Sequence, residues 1–97
     1  MFVGVLEIDV LFGDVRSLKQ KRGSVRPVLH ELRRRYDVAV AETGYQELYR
    51  RALLGVAAVA ADAAHVREVL EACERLVAER PELDVLSART RFLGPED

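Results

Sequence analysis

The run Ser17-Leu18-Lys19-Gln20-Lys21-Arg22 places three cations in the opening turns of a segment whose spacing is helical. A helix start favours anions, so each cation there is unfavourable by roughly a few tenths of a kcal/mol. A bound phosphate or carboxylate reverses that sign, because free backbone N–H groups and cations then converge on it. Lys19, Arg22, Arg26 and Arg33 fall within about 60° of one another on a helical wheel, a basic stripe beside the apolar one. The competing reading is a solvated face whose cations pair with Glu31 or Asp14. A second cluster, Tyr45, Tyr49, Arg50 and Arg51, occupies a connecting segment. Tyrosine with arginine suits phosphate and base contacts, and it suits a protein interface equally well. Here the competing reading is that the tyrosines cover the edge of the core.

The remaining chemistry-bearing residues point away from catalysis. Glu7 and Asp9 share one face of a strand, but Arg89 and Arg91 on the neighbouring strand would hold both ionised, which is wrong for a general acid. His30 and His65 fall on different helices, without metal-ligand spacing. Cys73 lies on an apolar stripe with no basic neighbour to activate it, so it reads as an inert core thiol. Ser17 and Ser24 are helix caps in type and place. No residue pattern calls for a cofactor or a metal, and the chain is read as non-enzymatic.

The elements that must position these residues follow from periodicity. Phe2 to Phe12 alternates as a strand with one fully apolar face and one mixed face. Gly13-Asp14 breaks it. A helix follows from Ser17, with Leu18, Val25, Leu29, Leu32 and Tyr36 on its buried arc and Val28 at the margin. Pro27 costs about 3 kcal/mol inside a helix. Either the helix kinks there, or a turn over 17–23 precedes a main helix capped by Ser24; the kinked helix is the expectation. Residues 37–43 form a short strand, and 44–50 a connection.

Residues 51–61 read as a third strand, although their alanines would also suit a helix. Asp62 caps a second helix over 63–80, with Val66, Val69, Leu70, Cys73, Leu76 and Val77 as its buried stripe. Pro81 ends it. Residues 83–93 make the last strand, with Leu86, Ala88 and Phe92 on one face and Val85, Ser87, Arg89 and Arg91 on the other. The tail 94–97 is expected to fray.

The order β-α-β-β-α-β, with right-handed crossovers, predicts an α+β sandwich over residues 1–97. Both helices cover one face of a four-stranded antiparallel sheet, strand order 4-1-3-2, the ferredoxin-like arrangement. The other face has no helix over it. Val3, Val5, Leu11, Val85 and Leu93 are expected there, enough apolar area to call for a partner, with a homodimer as the default.

The chain has 97 residues, 49% hydrophobic and 32% charged, which is globular composition. Its net charge of −1 is unevenly spread. Residues 16–35 hold eight bases against Glu31 alone, while residues 62–97 hold nine acids against five bases. Such asymmetry steers an anionic partner to one surface. One cysteine excludes an internal disulfide and suits a reducing compartment. There is no leader pattern, and the most apolar run, 52–61, is too short to span a bilayer. A cytoplasmic location without membrane contact is expected.

The stretch SLKQKR at 17–22, followed by LRRRYDVAVAE at 32–42 and RALLGVA at 51–57, resembles the YlxP-like family of small bacterial proteins of unknown function. The resemblance covers nearly the whole chain. It implies the ferredoxin-like fold, and a possible RNA context, because genes of that family often neighbour those for translation and ribosome-maturation factors. Gly44-Tyr45 stands where the family often has a polar pair, and Tyr49 where it often has Trp. The resemblance carries no catalytic residues across.

Other uses of the fold fit poorly. An RNA-recognition domain stacks bases on aromatics of its central strands, and residues 51–61 have none. A metallochaperone needs a Cys-x-x-Cys pair. A small phosphatase needs a Gly-rich phosphate loop, which Asp14-Val15-Arg16 imitates badly. The leading expectation is a dimeric accessory protein that engages RNA or a ribonucleoprotein through Lys19, Lys21, Arg22, Arg26, Arg33, Tyr45, Tyr49 and Arg50. The alternative is a homodimeric interaction or regulatory module with an acidic protein partner.

Overall fold

A computed structural model describes residues 1–95 of the chain. The elements run β1 (Phe2–Phe12), α1 (Leu18–Arg35), β2 (Ala39–Gly44), β3 (Arg51–Ala60), α2 (Ala63–Ala78) and β4 (Leu83–Leu93). The sheet is antiparallel throughout, in the order β2-β3-β1-β4. This is the ferredoxin-like β-α-β-β-α-β sandwich that the periodicity predicts. The expected fraying of the tail falls in part on residues 96 and 97, which lie outside the described residues.

Each helix begins at a side chain suited to begin it. The Ser17 hydroxyl accepts the Gln20 N–H at 3.1 Å, and the Gln20 side chain accepts the Arg16 N–H at 2.7 Å. Two of the backbone donors at this helix start are thereby satisfied. Asp62 does the same for α2, accepting from Ala64 and His65. α1 runs unbroken through Pro27, so the split-helix alternative falls away. Arg33, Arg34 and Arg35 in its last turn complement the negative end of the dipole.

The core lies between the helices and one face of the sheet. Leu6, Ile8 and Val10 of β1 are fully buried, with Leu54 and Val56 of β3 beside them. Val25, Val28 and Leu32 of α1 and Val66, Leu70, Cys73 and Val77 of α2 close over them. α2 approaches β1 so closely at Gly4 that a Cβ there would meet Val66 Cγ1 at 2.5 Å and Leu70 Cδ1 at 2.6 Å. A side chain there would force Val66 and Leu70 to shift.

β4 departs from simple alternation. Asp9 pairs with Ser87, but Val10 pairs with Val85, so Leu86 is the extra residue of a bulge. The bulge reverses the phase of the strand's first residues. Val85 therefore packs against the core with Leu83, and is not on the open face where alternation placed it. Leu86, assigned by alternation to the face of Ala88 and Phe92, is exposed instead.

Candidate functional site

The parallel sense of β1 and β2 brings the turn before α1 and the 45–50 connection to one end of the sheet. Three bonds tie them. Phe12 N–H donates to the Arg50 carbonyl at 2.8 Å, the Arg50 guanidinium donates to the Gly13 carbonyl at 3.0 Å, and Lys21 Nζ donates to the Tyr45 carbonyl at 2.8 Å. Tyr45 is the one non-glycine residue with positive φ among those described, at 57°.

Lys21 is not an anion ligand. It is 2% exposed, and its ammonium is 2.5 Å from the Glu42 carboxylate. Its place in the helix explains this. Lys21 precedes Val25, Val28 and Leu32 by four, seven and eleven residues, so it belongs to the apolar stripe and reaches out from it to the end of β2. Two more of the expected ligands have structural tasks. Arg33 donates to the Val40 carbonyl at 2.6 Å, and Arg50 holds Gly13.

Lys19, Arg22 and Arg26 are exposed, with no hydrogen bond or ion pair to another described residue. The acids that might have neutralised them are engaged elsewhere: Glu31 pairs with Arg35 and Arg80, and Asp14 with Arg16. The Arg33–Val40 bond places this side of α1 along β2, an outer strand. The three free cations thus form a line flanking the sheet edge; Tyr45 and Tyr49, in the 45–50 connection, are 41% and 45% exposed.

On the open face the charges pair differently from expectation. Glu7 does lie opposite Arg89. Asp9 instead takes a two-pronged grip from Arg51, Nε to Oδ1 at 3.0 Å and Nη2 to Oδ2 at 2.6 Å. Those hydrogen bonds hold the Asp9 carboxyl below its ordinary pKa, against the opposing pull of desolvation. The Tyr45 ring lies over the same guanidinium, 4.1 Å from its carbon. The register of β1 on β3 accounts for this pair. Arg51 opposes Leu11, two residues beyond Asp9, a diagonal within a long side chain's reach.

Elsewhere on that face Val3 and Val5 are half-buried, and Leu11 and Leu93 are exposed. Val5, Glu7, Ala41, Gly55, Ala57 and Arg91 line a shallow hollow of about 420 Å³. Cys73 is buried in α2, where desolvation pushes its thiol up to about 11. Among the described residues no three His, Cys, Asp or Glu side chains gather as a metal site, and no helix is long and apolar enough to cross a membrane.

This geometry defines a ferredoxin-like sandwich with one basic, tyrosine-bearing end and one uncovered sheet face. The chain belongs to the family described as "Protein of unknown function (DUF503)", whose profile matches residues 3–90. It is 27% identical over 90 residues to the uncharacterised protein YlxP of Bacillus subtilis strain 168, covering 93% of this chain and 98% of that one. A de novo designed protein with a ferredoxin fold, solved in solution by NMR, superposes with a TM-score of 0.56 at 14% identity. That match covers 96% of this chain and 84% of the designed one, and it speaks for the fold alone.

Proposed function

We propose that this protein is a non-enzymatic accessory factor that binds RNA through the basic end of the domain. The observation that carries the reading is the line of Lys19, Arg22 and Arg26, all exposed and none neutralised within the described residues. At 1.5 Å rise per residue the line is roughly 10 Å long, one cation per turn, so it can follow successive phosphates. Tyr49, exposed in the connection at the same end of the domain, adds aromatic surface for bases. The translation-linked gene context implied by the family resemblance agrees with this choice of polyanion.

The test is binding to a structured ribosomal RNA fragment over a salt series, with Lys19→Glu/Arg22→Glu in parallel. Three phosphate contacts predict that affinity falls roughly 20- to 40-fold between 50 and 200 mM salt. The variant should lose binding while keeping its fold by circular dichroism. No wild-type binding at low salt would overturn the RNA reading. Binding that the variant retains would move the contact away from α1.

A further inference from the structure

We propose that the uncovered face of the sheet is the interface of a two-fold dimer, its occupant a second copy of this chain. The reason lies in its relief. At matching levels, β1 and β4 present Val5, Glu7, Arg89 and Arg91, while β3 and β2 present Ala57, Gly55, Ala41 and Ala39. One half of the face carries the longer side chains, with a hollow of about 480 Å³ between Val5, Glu7, Arg89 and Arg91, and the other is the hollow described above, with Thr43 leaning across Gly55 as its far wall. The boundary between the halves runs along the strands, between β1 and β3.

A two-fold axis along that boundary lays β1 over β3 of the second copy, and β4 over β2. Glu7 then comes over Gly55, Val5 over Ala57, Arg89 over Ala41 and Arg91 over Ala39. At these two levels the longer side chains meet alanine or glycine on both sides of the axis at once, which is the self-complementarity a two-fold contact requires. The same rotation sets Val3 over Val59, a residue 62% exposed in the single chain.

Charge and area agree. Asp9 is already paired with Arg51, which leaves Glu7, opposite Arg89, and Asp84, opposite Leu11, as the unpaired acids of this face among the described residues. Arg89 and Arg91 are both on the outermost strand, where an interface rim leaves their heads in water. Four strands about 4.8 Å apart and nine residues at about 3.3 Å give roughly 500 Å² per copy. The resulting total of roughly 1,000 Å² meets the lower bound for a specific contact.

Light scattering and sedimentation of the full chain across about 5–500 µM should show conversion from monomer to dimer. Ala57→Glu fills the hollow with charge, and Ala41→Trp fills it with bulk at an exposed position. Each should weaken dimerisation at least tenfold while far-UV circular dichroism stays unchanged. The axis has its own test. Ala41→Cys and Arg89→Cys proteins, treated with a bis-maleimide of about 10 Å reach, the spacing of stacked sheets, should cross-link as a mixture and neither alone. The native Cys73 is buried and does not compete. A monomer throughout, a dimer indifferent to both hollow-filling changes, or cross-linking in either single variant would each overturn the arrangement. None of these readings depends on RNA, so they separate from the test of the basic end.

Discussion

The two faces of the sheet are built from the same strands and solve different packing problems. On the covered face β1 offers Leu6, Ile8 and Val10, each fully buried, and β3 answers with Leu54 and Val56. Volume is spread across that face, and the helices follow its contour down to the notch at Gly4. At the middle of the uncovered face the volume is divided, with Val5, Glu7 and the β4 arginines on one half and alanines and Gly55 on the other. Its charges are also only half settled, with Asp9 gripped by Arg51 while Arg89 and Arg91 make no ion pair with a described residue. The covered face is complete within one chain. The other has the relief and the charge of a surface that finishes its packing elsewhere.

The largest effect should come from the Lys21–Glu42 ion pair on the covered side. Lys21→Met leaves the Glu42 carboxylate without its counter-ion and should cost about 3–5 kcal/mol of unfolding free energy, read by urea denaturation. Lys21→Met/Glu42→Leu should recover most of it. A loss below about 1 kcal/mol for the single change would mean that the pair is not structural.

A smaller loss should separate the faces directly. Gly4→Ala drives a methyl into Val66 and Leu70 and should cost about 1–3 kcal/mol. Ala41→Leu, on the uncovered face, should stay within about 0.5 kcal/mol at monomeric concentrations. Equal costs would erase the distinction.

The smallest effect concerns acid. The Asp9 carboxyl has a lowered pKa in the folded state, so the unfolded chain binds its proton first. The stability it contributes is whole above the ordinary value of 3.8 and is lost as pH falls through that value toward the folded one. Wild type should therefore lose stability more steeply than Asp9→Asn in that window, measured by urea midpoints against pH. Parallel curves would remove the Arg51 grip as a source of stability.

The fold was legible because β1 alternates and both helices carry an apolar arc behind good N-caps; residues 51–60, apolar on both phases, were open to a helix as well. What sequence periodicity could not show were features that depend on register. The bulge at Leu86 displaces Val85 from one face to the other with no change in local pattern. The Asp9–Arg51 grip needs the pairing of β1 with β3, which neither strand states alone. Lys21 was misread for another reason. Its charge drew it into the basic cluster, although its spacing to Val25, Val28 and Leu32 had already assigned it to the buried stripe. Lys19, Arg22 and Arg26 were legible because exposure follows from the same wheel.

Tyr45 joins what the two faces keep apart. Its carbonyl accepts from Lys21, which rises out of the helical layer, and its ring rests on Arg51, which belongs to the uncovered face. The left-handed backbone at this residue lets one peptide unit turn toward each side. The residue is a rivet through the thickness of the domain. A ligand held at the basic end would sit against a fastening whose other head lies on the opposite surface.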